Sequence, residues 1–212
     1  MTADIQFGFP EIADKTLQAG HGGRPIVLAS ASPRRKELLQ MLGLDSITVC
    51  PAEGEEHPIS SSNPDAIVKA LAHAKAFEVA QRFPDALVIA ADTMVWLDNK
   101  PFGKPKDEED AFRMLRTLSD RFHEVFTGVS VIDPGGELCE SVRTAVFFRK
   151  LSDEEIRKYI TCGEPMDKAG AYGAQGKGAL FVKEIQGDFF NVMGLPICRL
   201  GEMLAKKGVS IL

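Results

Sequence analysis

The 212-residue sequence is poor in the residues that build metal clusters and disulfide frameworks. Its four cysteines are tens of residues apart and form no CxxC pair, and its four histidines form neither an HExxH motif nor a cluster. This spacing argues against a zinc site and against a disulfide framework. It favours structural thiols in a reducing compartment.

Long hydrophobic runs, basic blocks and a targeting segment are also missing. Uninterrupted apolar stretches such as residues 86–91 are far shorter than the about 20 residues that span a bilayer. The formal net charge is −5, without a polybasic block, which disfavours a nucleic acid polymer or a membrane as partner. Residues 1–23 lack the apolar core of a signal peptide. We therefore expect a cytoplasmic protein.

Helix and strand patterns alternate along the chain and predict an α/β fold around a twisted mixed sheet flanked by helices. Residues 1–23 are expected to be a loosely ordered N-terminal extension, and residues 24–212 a single domain. Serine–proline, asparagine–proline and capping-box signals predict helix starts at Ser32, Asn63 and Ser152. Strands are predicted at residues 25–29, 46–50, 86–96, 123–132, 137–148 and 179–185, and further helices at residues 106–118 and after residue 196.

A basic pair stands at the start of the first predicted helix, in "LASASPRRKELL". A helix start offers free backbone N–H groups and a positive dipole end, so Arg34 and Arg35 are unfavourable there for the helix itself. Guanidinium groups match phosphate oxygens well, and a bound phosphate would explain the pair. The equally weighted alternative is that both arginines face water or pair with Glu37 and the acidic loop.

Two further stretches carry polar groups at positions suited to a phosphate-bearing ligand. "VIAADT" ends a buried run in Asp92, whose carboxylate could bind Mg²⁺, activate a water molecule, or do both. The alternative is a carboxylate that caps a turn or pairs with a lysine. Lys104, between a glycine and a proline in "PFGKP", could reach one phosphate, although a single exposed lysine is the commoner outcome.

The glycine-rich stretch of residues 163–178 contains five glycines. Such a segment can bring backbone close to a flat ligand while Tyr172 and Gln175 supply specific contacts. It lacks the spacing of a P-loop or of a dinucleotide fingerprint. The loop "GEEH" places Glu55 and Glu56 before a helix, as a solvated acidic loop or as part of a metal site.

Taken in order, these blocks resemble the Maf family of nucleoside triphosphate pyrophosphatases. The matching blocks are "LASASPRRKELL", "AADTMV" followed by "GKP", "HEVFTGVSV", and "GEPMDKAGAYGAQGKGALFVKEIQGDFFNVMGLPI", and they extend from about Pro25 to the end. The resemblance implies a Maf/ITPase-like fold of two lobes with a substrate cleft. It also implies hydrolysis between the α and β phosphates with a divalent cation, Mg²⁺ or Mn²⁺. "DKAGAYGAQG" is similar to the branch that acts on dTTP and UTP.

The resemblance further implies roles for single residues. Asp92 would be the general base and, with Glu56, a metal ligand. The residues that would set substrate specificity are Arg34, Thr93 and Gln175, and those that would line the phosphate region are Ser32, Arg35, Lys75 and Lys104. A homodimer is suggested only by this resemblance. The alternatives are a pyrophosphatase for 7-methyl-GTP, CTP or modified nucleotides, and a nucleotide-binding regulator of septum formation.

Overall fold

The computed structural model describes residues 23–54 and 61–212. Nearly all of the extension predicted for residues 1–23, and the predicted metal ligand Glu56, lie outside these ranges. Within them, no helix is long and apolar enough to cross a membrane.

The described chain forms one open mixed sheet, as predicted, and the sheet has seven strands, of which β4 was not predicted. Its strand order is β2-β1-β3-β5-β6-β7, with β4 paired to β3. The three strands β2, β1 and β3 are parallel, and the other pairings are antiparallel. The strands are β1 (Ile26–Leu28), β2 (Ile47–Val49), β3 (Leu87–Leu97), β4 (Lys100–Phe102), β5 (Phe122–Asp133), β6 (Gly136–Phe148) and β7 (Val182–Gln186).

Six α-helices flank the sheet in the described ranges. They are α1 (Pro33–Met41), α2 (Pro64–Arg82), α3 (Glu108–Leu118), α4 (Asp153–Ile160), α5 (Phe189–Met193) and α6 (Ile197–Lys206). Asn63 caps α2 through its side chain, and Ser152 forms the predicted capping box with Glu155. Ser32 holds the predicted cap position of α1, but its side chain makes no capping bond.

In the C-terminal third, one predicted strand begins later than expected and one short helix was not predicted. The strand predicted from residue 179 begins only at Val182, because residues 177–181 form a 3₁₀ turn. The backbone N–H groups of Lys177 and Gly178 donate to the Glu164 carboxylate instead of to a strand. The short helix α5, capped by Asp188, has no counterpart among the predicted elements.

Strand β3 runs through two separate parts of the hydrophobic core. Leu87, Ile89 and Ala91 pack in a cluster with residues of α1 and α6. Val95 and Leu97 pack in another cluster with residues of α3 and α4. Between these two parts, residues 92–94 are only half-buried. The predicted cleft therefore opens halfway along a continuous strand.

The opening is explained by the pairing of β3. One edge of this strand is covered by β5 from Val88 to Trp96. On the other edge, β1 pairs with residues 87–89 and β4 pairs with residues 95–97. In the described chain no strand covers that edge between them. Since neighbouring strand residues point to opposite faces, this gap lets both Asp92 and Thr93 reach a single cavity.

Candidate active site

A cavity of about 800 Å³ opens at the gap along β3. Its walls come from the turn before α1, from α2, from the loop after β4, from the glycine-rich segment and from the end of α5. Every predicted site residue within the described ranges lines it: Ser32, Arg34, Arg35, Lys75, Asp92, Thr93, Lys104 and Gln175. The structure thus brings these side chains together, and their individual roles stay predictions.

The cavity is strongly cationic, although the whole chain carries a net charge of −5. Among the described residues, five basic and two acidic side chains line it, which gives a formal charge of +3. They are Arg34, Arg35, Lys75, Lys104 and Lys168 against Asp92 and Asp167. A concentration of positive charge in a concave site attracts anions. The sequence predicts a local anion site, and the positive charge of this cavity is suited to one.

Asp92 and Lys75 form an ion pair at the edge of the cavity. The Lys75 Nζ atom donates to Asp92 Oδ1 at 2.5 Å, and the two side chains are 23% and 15% exposed. Helix α2 brings Lys75 over the sheet, while β3 holds Asp92 on a rigid strand. The sequence left open whether Asp92 pairs with a lysine. The structure shows this pair, and it lies inside the cavity.

Arg35 is a structural link within the cavity floor. Its Nε donates to the Gly194 carbonyl at 2.8 Å, and its two Nη atoms donate to Ser30 Oγ at 3.0 Å and to Thr93 Oγ1 at 3.2 Å. Burial lowers the pKa of Arg35, and nearby Asp92 acts in the opposite direction. Arg35 therefore ties α1 to β3 and to the turn at Gly194. These contacts explain why Arg35 stands in the first turn of α1 as well as a bound anion would.

The Arg35 link continues across the sheet. Thr93 Oγ1 lies 3.0 Å from Thr127 Oγ1 on β5, and Thr127 donates to the Asn191 carbonyl of α5 at 3.0 Å. Thr127 and Asn191 are fully buried. Thr93 Oγ1 therefore has a polar partner on each side, Arg35 from α1 and Thr127 from β5, and these contacts restrict its position.

Arg34 faces the cavity and approaches an acid that the sequence reading missed. Its Nη1 lies 3.6 Å from Asp167 Oδ2, across the cavity from α1. Asp167 also accepts from Lys168 Nζ at 2.6 Å, and the same ammonium donates to the Glu164 carbonyl at 2.7 Å. The sequence signal for Asp167 was the "DK" of "DKAGAYG". Charged residues directly before a glycine-rich turn are candidates for the wall of a cavity.

Tyr172, from which a ligand contact is expected, lines the cavity, and this contact stays a prediction, but its hydroxyl is bonded within the core. The Tyr172 hydroxyl lies 2.8 Å from His123 Nε2, and both residues are buried. Their rings pack edge-on against each other and against Phe148. Burial lowers the pKa of His123 to about 3 and raises that of Tyr172. Tyr172 thus anchors the glycine-rich segment in the core.

Lys104 and Gln175 are exposed at the rim of the cavity. The loop that carries Lys104 is joined to the glycine-rich segment, because the Gly170 N–H donates to the Gly103 carbonyl at 3.0 Å. Gly170 has φ +69°, and a Cβ there would lie 2.9 Å from Val95 Cγ2. Glycine is therefore required at this junction.

The donors present fit a divalent cation that is bound together with phosphates. Within the described ranges, no group of three or more histidine, cysteine, aspartate or glutamate side chains could form a protein cage for a metal. Two acids line the cavity among the described residues, Asp92 on β3 and Asp167 in the glycine-rich segment, and each offers hard carboxylate oxygens. Mg²⁺ is commonly held by one or two carboxylates, with substrate phosphates and water completing its shell. A mainly cationic cavity suits a metal that arrives with an anionic ligand.

Solved structures with a similar fold include the Ham1 protein of Staphylococcus aureus and a HAM1 protein from Coxiella burnetii. The first has a TM-score of 0.51 and 16% sequence identity and covers 86% of this chain and 98% of its own. The second has a TM-score of 0.50 and 17% identity and covers 85% and 98%. At these identities the likeness concerns the fold alone.

Curated relatives are much closer in sequence. The dTTP/UTP pyrophosphatase of Dictyoglomus turgidum is 49% identical over 191 residues, which covers 89% of this chain and 99% of the relative. The protein of the same name from Methanosarcina barkeri is 48% identical over 190 residues, with 89% and 96% covered. That of Syntrophomonas wolfei is 51% identical over 187 residues, with 87% and 98% covered. Residues 25–207 match the family model of Maf-like proteins, and the chain belongs to the Maf family.

Proposed function

We propose that this protein is a nucleoside triphosphate pyrophosphatase that hydrolyses dTTP and UTP to the monophosphate and pyrophosphate. The observation that carries the proposal is the acid Asp92 on β3, paired with Lys75 in a cavity whose described lining has a formal charge of +3. A triphosphate needs such cationic surroundings, and its hydrolysis needs one base. The proposal also draws on relatives about 50% identical that bear the name dTTP/UTP pyrophosphatase.

In the proposed reaction, a water molecule attacks the α-phosphorus and passes a proton to Asp92. The bond between the α-phosphorus and the oxygen that bridges to the β-phosphorus breaks, and pyrophosphate leaves with the bonding electrons. Lys75 orients the Asp92 carboxylate by holding Oδ1. Phosphoryl chemistry of this kind depends mainly on positioning and charge neutralisation. Arg34, Lys104 and Lys168 supply cationic groups along the cavity wall for the phosphates.

Asp92 and Glu56 are the proposed ligands of a divalent cation, Mg²⁺ or Mn²⁺. When bound, such an ion would neutralise phosphate charge and polarise the phosphoryl oxygens. Chelation is expected to abolish pyrophosphate release, and added Mg²⁺ or Mn²⁺ to restore it. Calorimetry with Mg²⁺ and a non-hydrolysable triphosphate should show tighter metal binding with the nucleotide than without it. Equal activity in the presence of a chelator contradicts the metal proposal.

The proposed pyrimidine preference rests on residues at the rim and floor of the cavity. Gln175 is exposed there and carries both donors and an acceptor, as the imide edge of thymine and uracil requires. Thr93 is fixed by Arg35 and Thr127 and borders the same space. Pyrophosphate release should be measured with dTTP, UTP, CTP, GTP and 7-methyl-GTP. A preference for 7-methyl-GTP would contradict the proposed substrates.

The Asp92→Asn variant tests the proposed base. It keeps the size of the side chain and removes its basicity, so pyrophosphate release should fall by about 10² to 10⁴. Asp98→Asn is the matched control, because Asp98 also pairs with a basic residue, Arg121 at 2.7 Å, but at the far end of β3. Near-normal release from Asp92→Asn would count against the assignment. Tight nucleotide binding without any hydrolysis by the wild type would favour a regulatory protein.

A further inference from the structure

The Glu164 carboxylate is an internal anchor for the glycine-rich segment. Its Oε1 accepts from the Tyr159 hydroxyl at 2.8 Å and from the Gly178 N–H at 3.2 Å, and its Oε2 accepts from the Lys177 N–H at 2.9 Å. The Tyr159 oxygen in turn accepts from the Gly173 N–H at 3.1 Å. Gln175 is therefore fixed on both sides, through Gly173 before it and Lys177 after it.

The glycines of this segment are needed because the backbone passes close to Glu164. A Cβ on Gly176 would lie 2.4 Å from Glu164 Oε1, and a Cβ on Gly173 would lie 2.9 Å from the same atom. A Cβ on Gly178 would lie 2.8 Å from the Gly173 carbonyl oxygen. These glycines admit an internal carboxylate and a tight backbone turn. From the sequence alone, we expected these glycines to bring the backbone close to a ligand.

The cavity cation Lys168 lies beside the segment that the Glu164 carboxylate holds. The Glu164 backbone carbonyl accepts from Lys168 Nζ at 2.7 Å, and the Lys168 stem packs under Gly173. Burial raises the pKa of the Glu164 carboxyl, but bonds from the N–H groups of Lys177 and Gly178 lower it more, so it lies below its ordinary value. An ionised carboxylate that accepts several hydrogen bonds is a strong organising group.

We propose that Glu164 is a positioning residue that shapes the cavity wall bearing Gln175 and Lys168, and that it thereby sets the KM and the base selectivity of the enzyme. The inference rests on the proposed function. Asp92 and Lys75 lie on β3 and α2, outside the segment that Glu164 holds. Loss of Glu164 therefore affects substrate binding and selectivity far more than kcat.

The isosteric variant Glu164→Gln tests this role. A glutamine amide replaces one acceptor oxygen of the carboxylate by an N–H₂ donor. This donor then faces either the N–H of Lys177 or the two groups that donate to Oε1, and the corresponding hydrogen bonds are lost. We expect the KM for dTTP and UTP to rise about ten-fold, the preference for dTTP over CTP to fall by a similar factor, and kcat to stay within about three-fold. Tyr159→Phe removes one of the donors and should change KM and selectivity in the same direction.

Glu155→Gln is the matched control. Glu155 likewise accepts a backbone N–H, that of Ser152 at 2.8 Å, and a side-chain donor, Arg149 at 2.7 Å, but in the capping box of α4. Its substitution should lower the Tm without changing KM or selectivity. If Glu164→Gln also lowers only the Tm, Glu164 is merely structural and the inference is overturned.

A double-mutant cycle with Gly176→Ala locates the effect. The new methyl group would press on the Glu164 carboxylate, so Gly176→Ala should raise the KM of the wild type several-fold. In a Glu164→Ala background that obstacle is gone, and Gly176→Ala should add little further change. An equal change in both backgrounds would overturn the inference. Hydrogen exchange at residues 173–178 provides a second readout, and it should be faster in Glu164→Gln than in the wild type.

The two proposals fail in different ways. If the proposed function is wrong, the wild-type protein itself releases little or no pyrophosphate from dTTP and UTP in the presence of Mg²⁺ or Mn²⁺. If the inference about Glu164 is wrong, the wild type is active and selective, but Glu164→Gln and Tyr159→Phe keep its KM and its base preference. Supporting results require an active wild type, a raised KM and a reduced selectivity in these variants.

Discussion

Asp92 and Gly128 lie opposite each other in the β3–β5 ladder, and helix α2 touches the sheet at that glycine. A Cβ on Gly128 would lie 2.2 Å from the Val68 carbonyl oxygen of α2. Lys75 stands seven residues after Val68, about two helical turns along α2. The missing side chain at Gly128 therefore lets α2 approach closely enough for Lys75 to reach Asp92.

Gly128→Ala should force α2 away from the sheet. Overpacking of a tight contact costs about 1–3 kcal/mol of stability, and kcat should fall because the Lys75–Asp92 pair is separated. Urea unfolding and steady-state kinetics measure the two effects. Gly201→Ala is the control, since a Cβ in that part of α6 meets nothing within 4 Å and should stabilise the helix by about 0.5–1 kcal/mol. Unchanged kinetics in Gly128→Ala would show that this contact does not position Lys75.

Asp167→Asn should lower the KM for nucleoside triphosphates by about two- to ten-fold. Asp167 is 63% exposed and lies 3.6 Å from Arg34, and such an exposed pair contributes only about 0–1 kcal/mol. A triphosphate in the same cavity carries several negative charges, so its repulsion by Asp167 should outweigh this single exposed pair. Asp98→Asn, with a side chain 60% exposed in the wild type, should leave KM unchanged. A raised KM in Asp167→Asn would mean instead that this acid orients Arg34.

The stability of the fold should fall as the pH drops below 6.5, partly through His123. Burial lowers the pKa of this histidine from 6.5 to about 3, so the unfolded chain binds a proton that the native state rejects. The contribution of the neutral ring is complete above the unfolded pKa and is lost toward lower pH, at up to about 1.4 kcal/mol per pH unit. Urea unfolding between pH 7 and pH 5 should show a flatter profile for His123→Gln. Parallel profiles for both proteins contradict the prediction.

Lys207→Met should destabilise the protein without affecting catalysis. Lys207 Nζ donates to Asp133 Oδ1 at 2.8 Å, and the Asp133 side chain is only 3% exposed. Arg24 is the second partner of this carboxylate, so loss of Lys207 leaves it half compensated and should cost about 2–3 kcal/mol. Lys206→Met is the control, because Lys206 makes an exposed pair with Glu140. Equal Tm values for the two variants would refute the prediction.

Local sequence signals were sufficient for most helices and strands, whereas the candidate site was assembled with the help of the family resemblance. Caps at Asn63 and Ser152 depend on neighbouring residues alone and were predictable. The link between Tyr172 and His123 was not, because it joins a loop to a distant strand. The gap along β3 was also hidden, since it depends on where β1 and β4 pair with the same edge. The 3₁₀ turn of residues 177–181 depends on Glu164, which no local pattern reveals.

Because β3 and β5 continue without interruption from one core cluster into the other, the two parts of the core beside the cavity share one backbone frame. Since these strands cross from one part to the other within the described ranges, a relative movement of the two parts must twist both strands. New substrate preferences in this architecture must therefore arise from changes in the loops that rim the cavity, on a frame that stays in place.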